Sequence, residues 1–191
     1  VMNMRVVAGF LRGRKIISVP GKNTRPTLDQ VKEALFNILG QFFTSGKGLD
    51  LFAGSGSLGI EAISRGLEKC VFVDKDFKSY QVIKENLQLL NIEQKSEVYK
   101  MDYLKALKYF QEKKEKFDYV FLDPPYHLQK MNEIMKLLVD YDLLNEDAIV
   151  TCESLKEEDL IDSYQSIKLK KVYYYGISKI TIYQKGGVFN E

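Results

Sequence analysis

Short apolar runs and longer helical patterns alternate along most of the chain. Compact apolar stretches at 48–53, 69–74, 95–101, 117–123 and 147–153 predict strands, with helical patterns such as 78–90 or 128–139 between them. Repeated strand–helix units imply a parallel sheet covered on both faces, joined by right-handed crossovers. The ending differs: residues 168–175 and 177–185 are β-rich and separated only at Gly176, a connection so short that the two must pair antiparallel. These runs predict an α/β fold with a mainly parallel seven-stranded sheet and an antiparallel C-terminal strand pair. Ahead of it, residues 4–9 and 14–19 read as a separate small β-hairpin joined across Leu11-Arg12-Gly13. Thr27 and Gln30 form a capping-box pattern that opens a helix, whose apolar face is Leu28, Val31, Leu35, Ile38 and Leu39 and whose end falls near Gly40.

Composition narrows the classes of function. A length of 191 residues suits one catalytic domain, divided here into a basic hairpin and linker at 1–25 and a catalytic body at 26–191. Apolar residues make up 45% and charged residues 28%, and no apolar run approaches the roughly 20 residues a bilayer requires, so no membrane partner is expected. The N-terminus lacks the apolar core of a secretory signal, which makes a cytoplasmic location the expectation. Cys70, Cys152 and His127 are the only cysteines and histidine, too few for a disulfide framework or a zinc site, and no metal is expected. A monomer is the expected state.

Charge is uneven. Residues 1–25 carry Arg5, Arg12, Arg14, Lys15, Lys22 and Arg25 with no acid, a charge of +6 that leaves −4 for the rest of a chain whose total is +2. A basic arm on a mildly acidic body suits a polyanionic partner, with Arg5, Arg12, Arg14, Lys15 and Arg25 as RNA-binding candidates; on charge alone a solvated face explains it equally well.

Two loops carry the candidate chemistry. Asp50-Leu51-Phe52-Ala53-Gly54-Ser55-Gly56-Ser57-Leu58-Gly59 leaves the first strand of the alternating part and enters a helix at about Ser57. Gly54 and Gly56 allow a sharp turn and close ligand approach, Gly59 allows tight packing of helix on strand, and Asp74 ends the next strand where a carboxylate can take two ribose hydroxyls. A nucleoside cofactor fits, with Phe52 inside the loop and Asp102, past the third strand, reaching the adenine amine or capping the next helix. NAD uses the same glycine spacing. Asp50 argues against it, because a carboxylate there repels a pyrophosphate and welcomes the ammonium of S-adenosylmethionine.

The second loop is Asp123-Pro124-Pro125-Tyr126, where two prolines force the chain out of a buried strand into a rigid extended segment. In a doubly wound sheet this loop and the Gly54 loop are neighbours. The amine of a nucleobase is a weak nucleophile because its lone pair is delocalised into the ring. Asp123 and the Pro124 carbonyl can grip its hydrogens and draw the nitrogen toward tetrahedral geometry, while Tyr126 offers a face for an extruded base. His127 is read as structural.

Taken in order, Met4-Arg5-Val6-Val7-Ala8-Gly9, Arg12-Gly13-Arg14-Lys15, Arg25-Pro26-Thr27, Glu33-Ala34-Leu35-Phe36-Asn37 and the two loops resemble the RsmD family, bacterial methyltransferases of small-subunit ribosomal RNA acting on guanine N2. The resemblance covers residues 4 to about 130. It implies a Rossmann-like class I methyltransferase fold dependent on S-adenosylmethionine, with cofactor contacts at the Gly54 loop, Asp74 and Asp102. It further implies a hairpin that holds ribosomal RNA, in an assembled small subunit, and closure of the site by Arg25 and Thr27. One departure is Asp74, where the family often has glutamate. Adenine N6 methylation of DNA or RNA uses the same tetrapeptide, and an NAD-dependent oxidoreductase or a non-catalytic RNA-binding module are readings from other classes.

Overall fold

The computed structural model describes residues 4–21 and 28–186, so Lys22, Arg25 and the capping Thr27 lie outside the described residues. The chain divides into two compact units, the first ending at Tyr103 and the second beginning at Leu104.

In the first unit, β1 (Met4–Arg5) and β2 (Lys15–Ile16) pair antiparallel as a hairpin, with Met4 opposite Ile16. The ladder is shorter than the apolar runs predict. Val6 still bonds across the hairpin, its N–H to the Arg14 carbonyl and its carbonyl to the Gly13 N–H, both at 2.9 Å; past it the backbone bonds to helix α2 (Ser57–Ser64): the Val7 and Ala8 N–H groups donate to the Glu61 carboxylate at 2.9 and 3.1 Å, and that of Leu11 to Ser64 Oγ at 3.0 Å. Gly9 sits at φ +89°, and a Cβ there would lie 1.9 Å from the Ser64 carbonyl oxygen, so no larger residue allows this approach. The hairpin is docked on α2.

Helix α1 (Leu28–Ile38) buries Val31, Lys32, Leu35 and Phe36. Lys32 departs from the apolar pattern because it has partners: its Nζ donates to the Arg5 carbonyl at 2.9 Å and stands 3.8 Å from Glu61. Glu61 also accepts from Arg65 Nε at 3.0 Å, and the Arg65 guanidinium lies 4.7 Å from the centre of the Phe36 ring. One buried carboxylate therefore joins the hairpin, α1 and α2.

Three parallel strands form the sheet of this unit: β3 (Lys47–Asp50) pairs with β4 (Lys69–Asp74), and β4 with β5 (Ser96–Lys100). Helix α2 packs on β4 at Gly59, where an added Cβ would meet Phe72 Cε1 at 2.4 Å and Cys70 Sγ at 2.9 Å. Helix α3 (Phe77–Leu89) turns Val82, Ile83, Asn86 and Leu87 inward.

Helix α4 (Tyr103–Glu112) leads into the second unit, where β6 (Phe117–Leu122) pairs parallel with β7 (Leu144–Leu155). Helix α5 (Met131–Asp140) lies between them in sequence and buries Met131, Ile134, Met135 and Leu138, the spacing of one helical face. The direction then reverses. β10 (Ser178–Lys185) pairs antiparallel with β7 and with β9 (Ile167–Tyr175), the turn between β9 and β10 passing through Gly176 at φ +52°. Among the described residues, one strand goes beyond the seven expected. β8 (Ser163–Tyr164) pairs with β9 over two residues, a length and polarity that give no apolar signal in sequence. Both cysteines are buried thiols, and no described helix is long and apolar enough to cross a membrane.

Removing the Glu61 carboxylate leaves Lys32 and Arg65 buried without their counter-charge. Glu61→Ala is expected to lower unfolding stability by about 3 to 5 kcal/mol, measured by urea denaturation; a loss below about 1 kcal/mol would mean that the carboxylate does not organise this unit.

Candidate functional site

The first unit gathers the cofactor candidates along one edge. Because β3, β4 and β5 run parallel, Asp50 at the end of β3, Asp74 at the end of β4 and Asp102 just beyond β5 all emerge at the carboxyl edge of the sheet. Between Asp50 and α2 the chain turns through Gly54 at φ +58° and Gly56 at φ +86°, conformations that favour glycine at both positions. An added Cβ at Gly54 would meet nothing within 4 Å, so the outer side of the turn is open.

The turn is held from beneath by its own strands. The Gly54 N–H donates to Asp74 Oδ2 at 2.9 Å, the Asp76 N–H to Asp74 Oδ1 at 2.9 Å, and the Ala53 N–H to the Val73 carbonyl at 2.9 Å. Each oxygen of Asp74 thus fixes the backbone while keeping a second lone pair for a ligand. Asp50 is not on the open side of the loop, where the sequence suggested an ammonium would meet it. It is 1% exposed, and its Oδ2 accepts from the Gly59 N–H at 3.2 Å, beneath the first turn of α2. Burial raises its carboxyl from 3.8 to about 7, against the pull of the Gly59 N–H and with a further push from Asp74.

Two features of this loop carry no motif in the sequence. Ser57 opens α2 with its Oγ buried and without a hydrogen-bond partner among the described residues. The Phe52 ring lies 5.3 Å from that of Tyr103, centre to centre, so an aromatic pair stands beside Asp102. Asp102 is half-buried and directly precedes α4. The open turn, the unsatisfied hydroxyl, the aromatic pair and the edge carboxylates fit a nucleoside cofactor with a polar tail.

Asn86 joins this loop to the hairpin. Its Oδ1 accepts from the Ile17 N–H at 2.7 Å, and its Nδ2 donates to the carbonyls of Ile17 at 3.0 Å and Ser55 at 2.9 Å. An asparagine at apolar spacing in a predicted helix was the only available hint, and its partners are 69 and 31 residues away. Arg5, Arg12, Arg14 and Lys15 are exposed, although Arg14 Nη2 already donates to the Leu89 carbonyl at 3.0 Å.

The second unit carries the loop Asp123-Pro124-Pro125-Tyr126. β6 ends at Leu122, so Asp123 is the first residue beyond the strand, half-buried, followed by a buried Pro124 and an exposed Pro125. The Leu128 N–H donates to the Pro125 carbonyl at 3.0 Å and closes a turn that presents Tyr126. The Tyr126 hydroxyl and Ser178 Oγ are 2.6 Å apart, which anchors the ring to β10. Beside it, the Tyr175 hydroxyl donates to Glu153 Oε1 at 2.8 Å, and burial with the adjacent Glu153 pushes its pKa up, so it remains a donor. The sequence reading missed Ser178, Tyr175 and Glu153; the run Tyr173-Tyr174-Tyr175 was the available signal.

The parallel strands, the glycine turn at their carboxyl edge and the antiparallel strands that end the chain define a class I methyltransferase fold. The solved Escherichia coli structure of yhhF shares it with a TM-score of 0.85 at 29% identity, over 97% of this chain and 99% of that one. The family described as Conserved hypothetical protein 95 matches residues 4–184, and the chain belongs to it; this is the RsmD family of the resemblance. YlbH of Bacillus subtilis is 43% identical over 184 residues, spanning 96% of this chain and 100% of the relative. Ribosomal RNA small subunit methyltransferase D of Haemophilus influenzae is 38% identical over 184 residues, 95% of this chain and 93% of the relative.

The burial of Asp50 has a consequence for pH. The folded protein keeps this proton up to about pH 7, whereas the unfolded chain releases it near 3.8, so this group's contribution to stability is greatest below pH 3.8 and is lost as pH rises to about 7. Asp50→Asn keeps an acceptor for Gly59 and removes the titration. The variant is expected to gain on the parent by up to about 1.4 kcal/mol per pH unit through that window, read from denaturation curves at several pH values; parallel pH profiles would rule the effect out.

Proposed function

We propose that this protein transfers the methyl group of S-adenosylmethionine to the exocyclic N2 amine of a guanine in small-subunit ribosomal RNA. The observation that carries the reading is the acceptor loop, in which Asp123 and the Pro124 carbonyl stand at the end of β6 beside a tyrosine anchored at its hydroxyl. A hydride-transfer enzyme has no use for that arrangement, and membership of a family with named ribosomal RNA methyltransferases supports the methylation chemistry.

S-adenosylmethionine, when bound, supplies an electrophilic methyl on a sulfonium. The chain's own residues bind and orient. The Gly54 turn and Ser57 receive the polar tail, Asp74 the ribose hydroxyls, and Phe52 with Asp102 the adenine. Asp50, buried beneath the turn, favours a cation over a pyrophosphate when it is ionised. At the acceptor loop, the Asp123 carboxylate and the Pro124 carbonyl accept the two hydrogens of the amine, which localises the nitrogen lone pair toward the methyl. Tyr126 stacks on the extruded base, and its bond to Ser178 prevents the ring from turning away. No strong base is required, because the methylated ammonium is acidic and gives its proton to Asp123 or water. Positioning is the main source of rate.

The basic hairpin, held on α2 and tied to the cofactor loop through Asn86, binds the RNA backbone with Arg5, Arg12 and Lys15, and Arg14 contributes the donors not used by Leu89. A ribosomal substrate implies work in the cytoplasm.

Labelled S-adenosylmethionine is expected to methylate undermodified small-subunit particles, with N2-methylguanine recovered by nucleoside analysis; N6-methyladenine instead would transfer the mechanism to the other base, and no transfer at all would refute the reading. Asp123→Ala is expected to lower kcat at least about 100-fold with an unchanged circular dichroism spectrum. Arg12→Ala removes one phosphate contact, so RNA affinity falls most at low salt and the slope of log affinity against log salt drops by roughly 0.7 to 0.9; an unaltered slope would exclude Arg12 from the interface.

A further inference from the structure

We propose that β9 carries the single-stranded RNA next to the target base, through Lys171 and Tyr173 on the sheet face that also holds Tyr126. The inference rests on the reading above and extends it to a part of the substrate interface that no motif marks.

The strand reads Ile-Lys-Leu-Lys-Lys-Val-Tyr-Tyr-Tyr, with three lysines and no acidic residue. It pairs with β10 along its length, whereas β8 covers its other side only at Ile167 and Lys168. Tyr175 lies opposite Ser178, Tyr173 opposite Ile180 and Lys171 opposite Ile182. Side chains alternate along a strand, so Lys171, Tyr173 and Tyr175 share one face with their partners on β10. Two hydrogen bonds identify that face: Ser178 Oγ meets the Tyr126 hydroxyl, and the Tyr175 hydroxyl donates to Glu153, which is itself opposite Ile180. The stacking tyrosine of the acceptor loop is therefore followed outward by Tyr175, then Tyr173, then Lys171.

The chemistry along this path favours a nucleic acid. Tyr173 is 37% exposed, and Lys171 Nζ lies 4.6 Å from the centre of its ring, a cation over an aromatic face. A base stacking on Tyr173 keeps its phosphate near Lys171, the pairing of aromatic and basic groups that holds single strands without reading their sequence. Glu153, the carboxylate opposite Ile180 on this face, is 9% exposed and engaged by Tyr175, so it does not repel the backbone at the surface. Tyr174, 65% exposed, alternates to the opposite face and lies off the path.

The test compares RNA KM, kcat and S-adenosylmethionine affinity of the full chain with undermodified small-subunit particles as substrate. Tyr173→Ala is expected to raise the RNA KM roughly 5- to 100-fold, with Tyr173→Phe close to the parent. Lys171→Gln is expected to weaken RNA binding and to reduce its salt slope by roughly 0.7. Tyr174→Ala should leave KM in place, and cofactor affinity should hold in every variant. Unchanged KM in both Tyr173→Ala and Lys171→Gln with an active parent would overturn this inference alone. A parent that methylates no ribosomal RNA would overturn it together with the proposed function.

Discussion

Burying a carboxylate costs several kcal/mol unless its lone pairs are matched, and Glu61 is fully buried. It is matched from three directions: by backbone N–H groups of the hairpin, by Arg65 one turn along α2, and by Lys32 of α1. Each partner is in turn committed. Burial pushes the Lys32 ammonium down from its usual range, while Glu61 works to keep it charged. The hairpin cannot leave without stripping Glu61 of its backbone donors and Lys32 of the Arg5 carbonyl, which is why a two-residue ladder suffices to keep it in place. The docking also joins the hairpin to the glycine turn, since α2 begins at that turn and Asn86 ties Ile17 to Ser55.

The same economy governs the aspartates of the parallel edge. Asp74 uses each oxygen to hold a backbone N–H of the turn or of the segment after β4, and Asp50 is spent against Gly59 beneath α2. Both were legible as cofactor candidates from their places at strand ends. The structure gives them a prior task, shaping the turn, whose outer side is open at Gly54. A carboxylate with a proton affinity near neutrality is the electrostatic result of that burial.

At the acceptor loop, two prolines and a strand end made the tetrapeptide readable, because proline restricts the backbone locally. What secures the loop was not readable. Tyr126 is anchored by Ser178, 52 residues later, on a strand that the sequence identified only as one of an antiparallel pair. The C-terminal strands were correctly expected as β-structure, yet their contribution to the site depends on which face each residue occupies. That is set by register, and register is set by pairing partners far apart in the chain.

The sequence by itself determined the order of strands and helices, the glycine turn, the acidic strand ends and the proline loop. Period-two and helical periodicity, φ preference and proline geometry are local properties of a few consecutive residues. Tertiary structure decided the rest: the early end of the hairpin ladder, the charge of Lys32 on an apolar face, the burial of Asp50, and the alignment of Tyr126, Tyr175, Tyr173 and Lys171 on one face. Each of these depends on a hydrogen bond, an ion pair or a strand pairing between separate elements of the fold, and such pairings exist only once the chain has folded around them.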